Sequence, residues 1–154
     1  MRIRLNRKGF TLIELLIVVA IIGIIAAIAI PNLLNAIQRG KQKRTMADMR
    51  AIGTAVEAYA VDNNYYPAAG SAITSITSQI EPKYIKKSPT RDAWNGTYDY
   101  ISAGGTTAQE YTIQSYGKDL TPEGAATKGQ TTNFNNDIIF SQGSFIEFPE
   151  GSQQ

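Results

Sequence analysis

The chain has 154 residues, with no cysteine and no histidine. That excludes disulfides, thiolate zinc, cysteine nucleophiles, His-ligated metals and catalysis by a histidine base. The 15 Lys and Arg exceed the 13 Asp and Glu, but four of the basic residues and none of the acidic ones fall in residues 1–9. Beyond residue 9 the balance is 11 against 13, a net charge of −2, so a nucleic-acid-binding surface is not implied.

Residues 1–9 form a basic head, with Arg2, Arg4, Arg7 and Lys8, that ends at Gly9. An apolar run then starts abruptly. From Phe10 to Ile30 there are 21 residues, and Glu14 is the only charged one. As a helix at ~1.5 Å per residue the run spans about 31 Å, the thickness of a bilayer core. A carboxylate there costs roughly 2.5–3.5 kcal/mol on insertion scales, so Glu14 calls for a reason. An ordinary secretory signal, cut after Ala27-Ile28-Ala29, leaves Glu14 unexplained and has too long a core. A plain single-span anchor explains the length but neither Gly9 nor Glu14.

The basic head fits the positive-inside rule and places the N-terminus in the cytoplasm. A second basic cluster, Arg39 to Arg44, follows the span and weakens that inference. Pro31 removes one helical hydrogen bond, so a kink or local melting is expected there. Beyond it Leu33, Leu34, Ile37, Met49, Ile52, Val56 and Tyr59 recur at helical spacing, predicting an amphipathic helix with one buried face. It should end near Asp62-Asn63-Asn64, which makes one helix of about 50 residues, roughly 75 Å long.

Pro67, Gly70, Pro82 and Pro89 punctuate residues 65–92, where Ile73, Ile76 and Ile80 permit a short helix. Residues 94–116 read as a β-hairpin. Trp94-Asn95-Gly96 can turn, Tyr98 and Tyr100 alternate with polar positions, Gly104-Gly105 turns, and Tyr111, Ile113 and Ser115 alternate again. Residues 117–136 are rich in Gly, Thr and Asn and read as a long loop. Asp137 to Phe140 and Phe145 to Phe148 predict a third and a fourth strand. The predicted fold class is α+β: a long N-terminal helix packed on a small antiparallel sheet of four strands. The predicted divisions are 1–9, a leader; 10–30, a transmembrane helix; 31–62, its amphipathic continuation; and 63–154, a globular domain.

The stretch from Lys8 through Pro31 resembles the class III signal of type IV pilins and type II secretion pseudopilins. Gly9 matches the residue before the prepilin-peptidase cut in that family. Phe10 matches the new, N-methylated N-terminus, and Glu14 the acidic fifth mature position. The resemblance implies a structural subunit and not an enzyme. It implies that Thr11, Glu14 and Pro31 serve assembly, with Glu14 facing the N-terminus of a neighbouring copy. The implied partners are further copies in a homopolymer, the prepilin peptidase, an inner-membrane assembly platform and other pseudopilins. The implied place is the bacterial inner membrane, N-terminus in the cytoplasm, and then a periplasmic pseudopilus.

Tyr84-Ile85-Lys86-Lys87-Ser88-Pro89, with Asp92, Trp94, Tyr98 and Tyr100, resembles the major pseudopilin of type II secretion. Ala93 and Thr97 stand where that family has prolines, and Asn95-Gly96 departs from its pattern. The alternative within the class is a type IV pilus for adhesion, motility or DNA uptake; the lack of cysteine and the Trp94 hairpin favour the pseudopilus. The eight tyrosines are expected to pack sheet and loop. Ser115-Tyr116-Gly117-Lys118-Asp119 resembles the start of the family's calcium loop, and Asn136-Asp137-Ile138 its end. The resemblance implies calcium held by Ser115, Tyr116 through its carbonyl, Asp119, Asn136 and Asp137, an all-oxygen set of the kind calcium takes. As for enzymatic rivals, Ser115 and Glu110 lack a histidine base, and no motif supports a carboxylate pair for glycoside hydrolysis.

Overall fold

The computed structural model describes residues 9–68, 70–103, 107–123 and 129–150. Helix α1, Leu12–Asn63, runs 52 residues. The chain divides into two compact units, residues 1–37 and residues 38–154, and α1 contributes to both.

In the first unit the large apolar side chains from Phe10 through Ile37 are exposed. Its most apolar window reaches a mean hydropathy of 3.1, enough in length and composition to cross a membrane. Pro31 lies inside α1, and the helix is unbroken across it, so the local melting expected there does not occur. Leu33, Leu34 and Ile37 are 60, 54 and 45 % exposed and do not belong to the buried face predicted for residues 33–59. Their spacing is helical, but they belong to the first unit and stay exposed.

In the second unit α1 buries Gln42, Thr45, Met46, Met49, Ile52, Gly53, Ala55 and Val56. These recur every three to four residues, which places them on one stripe. The stripe meets a five-stranded sheet: β1 (Asp99–Ala103), β2 (Glu110–Ser115), β3 (Gly129–Thr131), β4 (Ile138–Ser141) and β5 (Ser144–Pro149), in the order β1-β2-β4-β5-β3. The β1–β2 hairpin is antiparallel, with Tyr100 opposite Ile113; Ile113 in turn lies opposite Phe140 on β4. These residues, with Tyr98, Tyr111, Ile138 and Phe145, form one core with Met49, Ile52 and Val56. Each such side chain contributes roughly 1.5–3 kcal/mol on full burial.

Two expectations are corrected. The sheet has five strands, not four, and it is not wholly antiparallel: β3 pairs parallel with β5 inside the region read as loop. Three residues, Gly129-Gln130-Thr131, are too few to show an alternating pattern. The short helix through Ile73, Ile76 and Ile80 is a 3₁₀ turn, Ile73–Ser75, followed by α2, Thr77–Ile80, and all three isoleucines are fully buried. The Gly104-Gly105 turn lies outside the described residues. Trp94-Asn95-Gly96 does turn: Asn95 takes φ +74°, and the Asp92 N–H donates to the Gly96 carbonyl at 2.8 Å.

Candidate functional site

The first site is the start of α1. Thr11 and Glu14 form a reciprocal cap. The Glu14 N–H donates to Thr11 Oγ1 at 3.3 Å, while the Thr11 N–H and hydroxyl donate to Glu14 Oε2 at 2.9 and 2.7 Å. This is a capping box, Thr-x-x-Glu, which satisfies donors that a helix start leaves orphaned. The carboxylate also sits at the positive end of the helix dipole. Its Oε1 takes neither Thr11 bond, and the residue is exposed. Phe10, beside it, is 77 % exposed. The capping spacing was visible in Thr11-Leu12-Ile13-Glu14, yet reading Glu14 as a membrane charge alone overlooks it. Gly9 and Phe10 directly precede the cap, and Pro31 lies about 26 Å further along the helix.

The second site joins the Trp94 turn to the 115–137 region. Asp92 is buried and acts as its hub. Its Oδ1 accepts from the backbone N–H groups of Trp94 and Gly96 at 2.9 and 2.8 Å, and its Oδ2 accepts from the Ser115 hydroxyl at 2.7 Å. Leu120 packs on Gly96 so closely that a Cβ there would lie 2.7 Å from its Cδ2. The indole N–H of Trp94 donates to Gln38 Oε1 at 2.8 Å. The Tyr116 hydroxyl donates to Asp99, and burial next to that acid pushes it up to about 12.

Asp137 is also buried, 1 % exposed. Its Oδ2 accepts from Gln114 Nε2 at 2.7 Å and from the Glu123 N–H at 3.0 Å, while its Oδ1 makes no hydrogen bond. Burial raises the Asp137 carboxyl above the usual range, and Asp119 adds to the rise. Burial raises Glu123 too, with Asp137 and Asp119 contributing. Gly117, at φ +62°, brings the backbone against the carbonyls of Asn135 and Asn136. A Cβ at Gly117 would lie 2.5 Å from the first oxygen and 2.6 Å from the second, so only glycine fits. The Lys118 N–H donates to the Phe134 carbonyl at 3.0 Å, closing the loop ends together.

The Asp137 carboxyl, with one oxygen free of hydrogen bonds, and the Asn135 and Asn136 carbonyls beside Gly117 are oxygen donors of the type a hard cation takes. The residues named from sequence divide here. Asp119, Asn136 and Asp137 fall around the loop closure, whereas the Ser115 hydroxyl is committed to Asp92; the Tyr116 hydroxyl donates to Asp99, which leaves its carbonyl, the atom named from sequence, uncommitted by that bond. Among the described residues no three acidic side chains converge to metal distance. Glu123 and Gln114 were not singled out from sequence, and neither stands in a recognisable spacing.

The family model for type II secretion system (T2SS), protein G, matches residues 32–134, and the prokaryotic N-terminal methylation motif matches residues 4–30. Among relatives, the type II secretion system core protein G of Pseudomonas aeruginosa is 31% identical over 143 residues, covering 86% of this chain and 99% of the relative. That of Vibrio cholerae is 33% identical over 108 residues, 64% and 73% of the two chains. The Escherichia coli K12 protein is 29% identical over 125 residues, 68% and 86%. The crystal structure of the major pseudopilin from enterohaemorrhagic Escherichia coli superposes with a TM-score of 0.48 at 25% identity, over 71% of this chain and 93% of that one. The chain belongs to the type II secretion system protein G family, the major pseudopilins, a family of structural subunits.

Proposed function

We propose that this chain is anchored in the inner membrane by α1, is cut between Gly9 and Phe10, and polymerises into a periplasmic pseudopilus that drives export of folded proteins. The observation that carries the reading is the Glu14 carboxylate, capped by Thr11 at the head of an apolar helix whose large side chains are exposed among the described residues. While the helix is in lipid, its apolar side chains have no hydrophobic drive toward one another, because lipid tails are equally apolar. Selection of a neighbour then falls to polar groups. Cleavage frees the ammonium of Phe10, and the Oε1 of Glu14, which takes no Thr11 bond, is available to the ammonium of an adjacent copy. Two unit charges about 4 Å apart attract by roughly 4 kcal/mol at an effective dielectric of 20. That offsets the insertion cost of Glu14 and selects one stagger. Repeating the same head-to-tail contact without closure gives a helical filament, and the exposed faces from Phe10 to Ile37 pack as its core. The partners follow: a prepilin peptidase, an assembly platform in the membrane and other pseudopilins.

Calcium is a structural ion in this reading. Asp137 and Asp119 hold it, together with carbonyls of the Tyr116 and Asn136 stretches. Bound there, it supplies the charge that the Asp137 oxygen otherwise lacks and staples the loop in a chain without disulfides.

Glu14→Ala tests the assembly reading. The variant is expected to insert and to be cut normally, as seen by the mass of its mature N-terminus, yet to yield few filaments in a shearing assay. Native filament yield from Glu14→Ala refutes the pairing.

A further inference from the structure

The exposed apolar surface of α1 is longer than a bilayer core. Phe10 through Ile37 is 28 residues, about 42 Å of helix, against ~30 Å of hydrocarbon and ~40–45 Å once the headgroups are included. With Phe10 at one interface, Ile37 therefore reaches the headgroup level of the other. Immediately beyond it stand Arg39, Lys41, Lys43 and Arg44, with no acidic residue among residues 38–44. Arg39, Lys43 and Arg44 are exposed, Lys41 is half-buried, and the buried Gln42 between them faces the core. The positive-inside rule disfavours such a cluster on the translocated side, so it needs a compensating partner.

The charged groups facing the cluster are evenly mixed, two basic and two acidic. Arg44 shares a cleft with Lys87, Arg91 and Asp48, and Asp48 lies 3.9 Å from the Arg44 guanidinium. Arg39 shares another with Glu150. The second, independent observation is Trp94, the only tryptophan. It is half-buried, and its indole is tied to Gln38, the first residue after Ile37. An amphipathic indole beside lysines and arginines is the composition of a membrane–water interface.

We infer that Arg39, Lys41, Lys43 and Arg44, with Trp94, form a docking surface for the anionic phospholipid headgroups of the leaflet that the globular unit faces. Their long stems extend along apolar surface while the charged ends reach the phosphates. Guanidinium groups bind a phosphodiester in a forked geometry. The surface holds the inserted subunit at a fixed depth until the filament takes it up. This inference rests on the membrane-anchored state.

The test uses the full chain, reconstituted at a low protein-to-lipid ratio into vesicles of phosphatidylcholine alone or with phosphatidylglycerol at about 30 mol %. Trp94 emission is read against a lipid carrying a spin label on its headgroup. Quenching is expected to be stronger with phosphatidylglycerol, and to fall to the phosphatidylcholine level at about 1 M salt, where the screening length is only ~3 Å. The variant R39Q/K41Q/K43Q/R44Q should lose the difference, while Lys118→Gln keeps it. Thermal melts show whether the fourfold variant is folded; if it is not, the lipid and salt comparisons on the native chain decide. Equal quenching in both lipids, from chain that floats with the vesicles, overturns the inference. So does quenching that tracks protein density and ignores lipid charge, because the cluster then meets acidic groups of a second copy. Chain that does not float overturns the membrane-anchored state itself, and the inference with it.

Discussion

At the residue scale, Asp92 has the largest leverage. One buried carboxylate closes the Trp94 turn with two backbone bonds and reaches Ser115 with a third. Hydrogen bonds to a charged group contribute about 1.5–3 kcal/mol each, and their partners are left unsatisfied when it is removed. Asp92→Ala should therefore cost roughly 3 kcal/mol in urea denaturation and red-shift Trp94 emission; a loss under about 1 kcal/mol contradicts the hub. Gly117 and Gly143 separate backbone strain from crowding. Both have positive φ, +62° and +82°, but a Cβ at Gly143 meets nothing closer than 3.9 Å. Gly143→Ala should cost about 1 kcal/mol, from the left-handed conformation alone. Gly117→Ala should cost clearly more, because the carbonyls of Asn135 and Asn136 must also move. Equal costs in parallel denaturation curves would show that the loop yields freely. The Asp92 arrangement was half legible: Asp92-x-x-x-Gly96 suggests a turn, but no spacing reveals Ser115, 23 residues away.

At the element scale, α1 shows how one continuous helix serves two environments. Its apolar run is legible from composition alone, because a bilayer demands nothing more specific. Its second half is legible from periodicity, but only where a partner exists, which is why Leu33, Leu34 and Ile37 were misassigned to the buried face. Two glycines in this helix test the packing. A Cβ at Gly53 would lie 2.3 Å from the Phe140 ring, itself held edge-on by Phe145, whereas Gly40 has open space. In both, alanine favours the helix by about 1 kcal/mol. At Gly40 that gain should appear as a raised melting temperature. At Gly53 overpacking costs about 1–3 kcal/mol and wins, so Gly53→Ala should lower it. A stabilised Gly53→Ala would mean that Phe140 moves aside at little cost. Strand β3 was illegible for a different reason. Its pairing with β5 is parallel and distant in sequence, and neither turn nor alternation marks it.

At the scale of the whole molecule, stability depends on the state of the Asp137 carboxyl. Folding raises its pKa, so the folded chain holds the proton more tightly than the unfolded one. The contribution of Asp137 to metal-free stability should thus be fully present below the ordinary carboxylate range and be lost as pH rises through it toward the raised value. Calcium should reverse the fall at neutral pH. Asp137→Asn should melt higher than the native chain in chelator at neutral pH and lose any response to calcium. Identical native melting curves with calcium and with chelator would remove the ion from the account, leaving the buried oxygen as a standing cost.

The sequence by itself determined the parts whose physics is local: the long apolar run, the carboxylate at its head, the hairpin, and the exclusion of thiolate and imidazole chemistry by the lack of Cys and His. Each rests on a composition, a period or a short spacing. Only the tertiary structure decided where the buried face of α1 begins, that Ser115 serves Asp92, that Gln38 holds Trp94, and that an Asp137 oxygen is left without a donor. Those are contacts between residues far apart in the chain, and burial, which no single position carries in its own chemistry, settles what each group does.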